Sequence, residues 1–171
     1  SLIIILFFIF SGIKPAQSQS NNYFGWQFEC QRKEISPVYR TDNDITFDMM
    51  PTLVLGGGGK AYADGRWYKI IEVNSGEFYQ FEVYFIADNV EEAGRSILAR
   101  IIWQNANGEQ VDQAEYPVTL QDRNPEGWNI IQQVYKVPEN ATKARAELVY
   151  RWDADGVVYF GGFSFIPTDE P

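Results

Sequence analysis

From Tyr23 onward the 171-residue chain alternates apolar and polar side chains with a period of two, and no stretch keeps a helical amphipathic period for more than about two turns. Successive side chains of a strand point to opposite faces, so each strand buries one face, which it can do by packing sheet on sheet. The clearest strands are predicted at residues 78–86 (FYQFEVYFI), 96–104 (SILARIIWQ), 110–118 (QVDQAEYPV), 128–137 (WNIIQQVYKV), 143–151 (KARAELVYR) and 157–165 (VVYFGGFSF). Weaker ones lie at 45–55 and 66–73. NSGE at 74, NANGE at 105, DRNPEG at 122, PENAT at 138 and DADG at 153 supply the Gly, Pro and Asx groups that reverse the backbone between them. This spacing predicts an all-β fold, an antiparallel two-sheet β-sandwich in one domain.

The first ten residues, SLIIILFFIF, are an apolar run too short to span a bilayer comfortably, and Ala16 and Ser18 follow at the positions a signal peptidase prefers. Residues 1–18 therefore read as a signal peptide that begins without its Met and basic region. The mature chain is expected to be secreted, periplasmic or at the cell surface, with no membrane contact after cleavage. Losing Lys14 moves the net charge from −9 to about −10. That charge argues against nucleic acid, and it also disfavours an anionic polymer as partner. His is absent, which removes the commonest general base and most zinc sites. Cys30 is the single cysteine, so no intrachain disulfide forms, and it reads as a small apolar filler.

The segment LGGGGKAYADGRW at 55–67 reads as a loop, since Lys60 is followed by Ala61 and a strand where a phosphate-binding loop would open a helix. Tyr62, Asp64, Arg66 and Tyr68 around it are candidates to line a pocket at one end of the sandwich. Asp153 and Asp155 fit a tight turn better than a calcium loop, while Asp42, Asp44 and Asp48 leave calcium open near the N-terminal strands. Asn140-Ala141-Thr142 satisfies the N-glycosylation sequon. The tail at 167–171 reads as the start of a linker.

Alternation sorts each strand into two faces. Ile97, Ala99, Ile101 and Trp103 oppose Leu98, Arg100, Ile102 and Gln104; Tyr79, Phe81, Val83 and Phe85 oppose Gln80, Glu82, Tyr84 and Ile86; Ala146, Leu148, Tyr150 and Trp152 oppose Arg145, Glu147, Val149 and Arg151. Trp103 and Trp152 are thus expected in the core. The ligand-binding candidates are Gln80, Glu82, Tyr84, Arg100, Gln104, Glu147 and Arg151, with Tyr135 and one of Gln132 and Gln133 from the strand after Trp128. Amides, carboxylates and guanidinium forks pair with vicinal hydroxyls, and an aromatic ring covers the C–H face of a sugar. Outward Ile86, Ile102 and Val149 suggest a groove floor or cover by a loop.

The ordered elements GRW at 65–67, IEVNSGEFYQF at 71–81, IIWQNANG at 101–108, GW at 127–128, VPENA at 137–141 and RAEL at 145–148 resemble the galactose-binding-domain-like jelly rolls. They are most similar to the carbohydrate-binding modules that accompany secreted polysaccharide-degrading enzymes. The resemblance runs from about residue 35 to 166 and leaves 19–34 as an N-terminal segment. It implies a jelly roll, often with a structural calcium ion and no other cofactor, and a ligand in a concave sheet groove or among the end loops. Trp67 and Trp128 would wedge between the sheets. Where the family often reads F-D-D-V in its last strand, this chain has Phe160-Gly161-Gly162-Phe163.

The function expected is a non-catalytic module that binds a polysaccharide or oligosaccharide and can accompany a partner catalytic domain. One alternative is a structural or docking jelly roll with no sugar ligand. The other is a carboxylate-based glycosidase or lyase using Glu82 and Glu147, although nearby Arg100 and Arg151 would hold those carboxyls ionised.

Overall fold

The computed structural model describes residues 23–171, so the expected signal peptide lies outside the described residues. Ten strands follow in order: β1 (Gln27–Glu29), β2 (Val38–Phe47), β3 (Met50–Gly56), β4 (Asp64–Glu72), β5 (Phe78–Asp88), β6 (Ile97–Gln104), β7 (Val118–Arg123), β8 (Asn129–Lys136), β9 (Lys143–Arg151) and β10 (Val157–Thr168). They form a four-stranded sheet ordered β1-β4-β9-β6 and a six-stranded sheet ordered β2-β3-β10-β5-β8-β7. All pairings are antiparallel, as the alternation predicts. The sandwich reaches past both expected ends of the module. β1, inside the 19–34 segment, pairs with β4, and β10 runs on to Thr168 against β5.

The strand expected at 110–118 is not a ladder. This segment meets β6 only at two isolated bridges, Gln104 with Gln110 and Ile101 with Glu115, and Asp112 turns its side chain onto the Gln113 amide. Pro117 has no N–H to donate, and regular pairing starts after it, in β7. β7 in turn claims Val118–Arg123, part of what reads as a turn.

Between the sheets lie the expected inward faces of β5, β6 and β9, including Phe81, Val83, Ile101 and Leu148. Trp103 is 1 % exposed and packs against Tyr135 and Phe165, so the apolar company it keeps along its strand does mark a core position. Trp67 crosses the core: its Nε1–H donates to the Val54 carbonyl in the other sheet at 3.2 Å. Trp152 departs from expectation. β9 ends at Arg151, and Trp152 takes φ +58°, so alternation no longer governs it; its indole is 45 % exposed with the Arg151 guanidinium over the ring.

The turn after Trp152 is held by Asp153. Its Oδ1 accepts from the amides of Asp155 and Gly156 and from the Tyr150 hydroxyl, and its Oδ2 accepts from the Glu91 amide at 2.9 Å. Burial alone would raise this carboxyl's pKa, but the hydrogen bonds outweigh it and hold it below the ordinary range. A depressed carboxyl stabilises the fold above its unfolded pKa of about 3.9, and that contribution is lost as pH falls through the lower folded value. Melting curves between pH 6 and pH 3 should therefore show Asp153→Asn about 1–3 kcal/mol less stable at pH 6. The gap between variant and parent should close toward the acid end; a constant gap would contradict the assignment.

Candidate functional site

Alternation in the four-stranded sheet turns one row of unusual side chains outward. The register aligns Gln27 of β1, Tyr68 of β4, Glu147 of β9 and Arg100 of β6 across the sheet, flanked by Arg66, Val149 and Leu98 on one side and by Arg145 on the other. Glu147 points away from the core and is nevertheless only 1 % exposed. Its cover is basic. Arg100 Nε donates to Oε2 at 2.7 Å, and Nη2 of the same residue reaches that oxygen too. Arg145 Nε donates to Oε1 at 2.7 Å, and Arg66 Nη1 lies 3.7 Å from Oε2.

These guanidiniums are themselves placed. Arg145 also pairs with Glu29 and lies 3.9 Å over the ring of Tyr68, whose hydroxyl donates to Gln27 Oε1 at 2.6 Å. Burial lowers the charge preference of Arg100, but hydrogen bonds to Glu147 and Tyr116 leave its pKa above the ordinary value. Removing a carboxylate from water costs several kcal/mol, and three guanidiniums at one carboxylate are what offsets it. The result is a pre-positioned polar face whose donors are fixed to each other and whose outer edges meet solvent.

Of the candidates read from alternation, Arg100, Gln104, Glu147 and Arg151 belong to this face. Gln80, Glu82 and Tyr84 do not join them. They lie on the outer face of the six-stranded sheet, with the core between the two groups. There the Tyr84 hydroxyl donates to Glu82 Oε1 at 3.0 Å and Gln132 Nε2 donates to Oε2 at 2.6 Å. Tyr135 faces inward, which removes it from either surface. It pairs with inward Tyr79, packs on Trp103, has no partner for its buried hydroxyl, and burial pushes its pKa up. Arg66 and Tyr68, expected at a loop pocket, stand on β4 in the middle of the charged face. Arg145 was visible as an outward residue, but nothing local to its strand reveals that it shares Glu147 with two other strands.

Trp128 does not wedge between the sheets: it sits edge-on to Phe47, which stacks on outward Tyr84 at 4.5 Å. The Gly161-Gly162 departure has a packing reason here. β10 bulges between Gly161 and Ser164, and a Cβ on Gly161 would come 2.5 Å from Phe47 Cβ, one on Gly162 2.5 Å from Phe47 Cε1. Gly162 also has φ +61°. Gly162→Asp should therefore cost about 2–3 kcal/mol and expel Phe47 from Tyr84, which near-ultraviolet circular dichroism and a melting curve would register.

Two of the aspartates named for calcium have partners of their own. Asp42 is committed to the amides of Asp44 and Ile45 and to Arg40, and Asp153 to its turn. Among the described residues no group of three or more His, Cys, Asp or Glu side chains could hold a metal ion.

No protein-family model matches the sequence, and no curated protein matches it. Solved structures do match in fold. A family 4 carbohydrate-binding module superposes with a TM-score of 0.57 at 17 % identity, covering 90 % of this chain and 93 % of that one. The xylan-binding CBM22-1 domain of Paenibacillus barcinonensis Xyn10C gives 0.52 at 15 % identity, covering 86 % and 88 %. The enzymatically active domain of bacteriophage CBA120 tailspike protein 4 gives 0.59 at 19 % identity, and the chain spans 21 % of its length. The chain thus has the jelly-roll fold of carbohydrate-binding modules, matching some of them end to end and larger proteins over about a fifth to a quarter of their length.

Proposed function

We propose that this chain is a secreted, non-catalytic carbohydrate-binding module that takes a polysaccharide or oligosaccharide on the outer face of its four-stranded sheet. The observation that carries this reading is Glu147, a carboxylate kept out of water on a surface-facing position by Arg66, Arg100 and Arg145. A merely solvated sheet face has no use for so costly an arrangement. A ligand with many hydroxyls does, because fixed guanidinium and amide edges bind it without first being ordered. The fold shared with carbohydrate-binding modules supports the reading.

The same geometry speaks against the carboxylate pair considered for hydrolysis. Glu82 and Glu147 are on opposite outer faces of a sandwich whose sheets alone stand about 10 Å apart, and no single glycosidic bond can lie between them. Among the described residues no helix is long and apolar enough to cross a membrane. The apolar run at residues 1–10 supports a place outside the cytoplasm, where a catalytic domain would be the natural companion.

Affinity electrophoresis and calorimetry against plant, algal and microbial polysaccharides test the proposal. Arg100→Ala should weaken binding about tenfold or more, since a hydrogen bond to a charged group is worth about 1.5–3 kcal/mol. Loss in Gln80→Ala with Arg100→Ala intact would move the site to the other sheet, and no binding by a folded chain would end the proposal.

A further inference from the structure

The charged face carries more cation than its own carboxylates use. Arg66, Arg100 and Arg145 share Glu147, Asp64 and Glu29, which leaves Arg151 of the same face over, on a chain whose net charge is −9. The excess is concentrated in a pocket of about 140 Å³ lined by Arg66, Arg100, Arg151, Asp64, Tyr116 and Gln31 among others. Arg66 is the least satisfied group in it. Its side chain is 12 % exposed, its contacts to Asp64 and Glu147 are 3.4 and 3.7 Å, and its Nε is buried with no partner. Arg151 enters none of the ion pairs among the described residues; its Nε donates to the Arg95 carbonyl.

Resting on the reading of this face as a sugar site, the geometry points to a glycan bearing anionic substituents, a uronate carboxylate or a sulfate ester, with that group seated between Arg66, Arg100 and Arg151. A guanidinium buried with loose contacts gains from a planar or tetrahedral oxyanion that its fork can grip, more than from a neutral hydroxyl. The pocket is smaller than the 300 Å³ or so typical of a whole-ligand site, which suits a substituent projecting from a chain that lies along the sheet. Net charge does not forbid this. Exposed charges more than about 8 Å away are largely screened at physiological ionic strength, so the pocket's own cations set the local preference.

The test compares glucuronoxylan and polygalacturonate with the same polymers after carboxyl reduction, and a sulfated galactan with its desulfated form, by calorimetry at 50 and 300 mM salt. An acidic form should bind about tenfold or more tightly than its neutral counterpart, and its advantage should shrink at high salt. Arg151→Gln, at a strand end and expected to fold normally, should bring the ratio of the two affinities to about one. Which pair shows the difference tells carboxylate from sulfate. Equal affinity within every pair overturns the anionic inference and leaves the sugar-binding proposal standing. If no polymer binds, titration of glucuronate and of glucose 6-sulfate by NMR decides: shifts of the Arg66, Arg100 or Arg151 side-chain signals support the anion pocket, and their absence overturns it along with the proposed function.

Discussion

Glu147→Ala should lower the melting temperature by on the order of 10 °C and abolish glycan binding. Removing one member of a buried ion pair costs about 3–5 kcal/mol, because the remaining charge keeps its burial and loses its partner. Here three guanidiniums lose one shared carboxylate. Their side chains retain some exposure, up to 25 % for Arg100, so solvent screens part of the repulsion and the lower end of the range applies. At about 2–4 °C per kcal/mol for a domain of this size, that gives the stated shift. Two features separate this account from simple loss of packing. The deficit should narrow in high salt, which screens arginine against arginine, and Arg145 should leave the ring of Tyr68, raising the mobility of both in relaxation measurements. A variant that melts within about 2 °C of the parent would show that the carboxylate organises nothing.

A larger loss of stability, about 3–5 kcal/mol and roughly 10–15 °C, is expected from Trp67→Ala. Trp67 is fully buried, meets Tyr23, Phe28 and Tyr39 edge-on and ties the four-stranded sheet to Val54 in the other through its indole N–H. Trp67→Phe restores much of the volume but not that hydrogen bond, and should cost distinctly less. Trp152→Ala is the companion measurement. With its ring on the surface, Trp152 should contribute within about 0.5 kcal/mol, whereas Trp103→Ala should resemble Trp67→Ala. Equal large losses for Trp103 and Trp152 would return Trp152 to the core position that alternation assigned it.

Most of the sandwich was legible because the decisive signal is local. A strand that buries one face must alternate, so β5, β6, β8 and β9 could be placed to within a residue or two and their inward faces named. The misses share a cause. β1 is three residues long, too short for its Gln-Phe-Glu alternation to mark a strand; it is a strand because β4 offers it an edge. The 110–118 segment looks extended but spends its polar groups on turns and reaches Pro117 before a ladder can form. Tyr135 was set outward beside a pair of glutamines, one of which, Gln133, pairs with inward Phe81.

The candidate site was half visible for the same reason. Alternation puts Glu82 and Tyr84 on one face of β5, and Arg100 and Glu147 on one face of β6 and β9, and each of those statements holds. That β5 belongs to the six-stranded sheet while β6 and β9 belong to the four-stranded one is decided by pairings between residues far apart in the chain, such as Arg100 with Glu147. The local pattern therefore determined the fold class, the core and the polarity of each strand. Only the tertiary structure decided which outward faces become one surface, because side-chain alternation is a property of a single strand and strand order is a property of the whole chain.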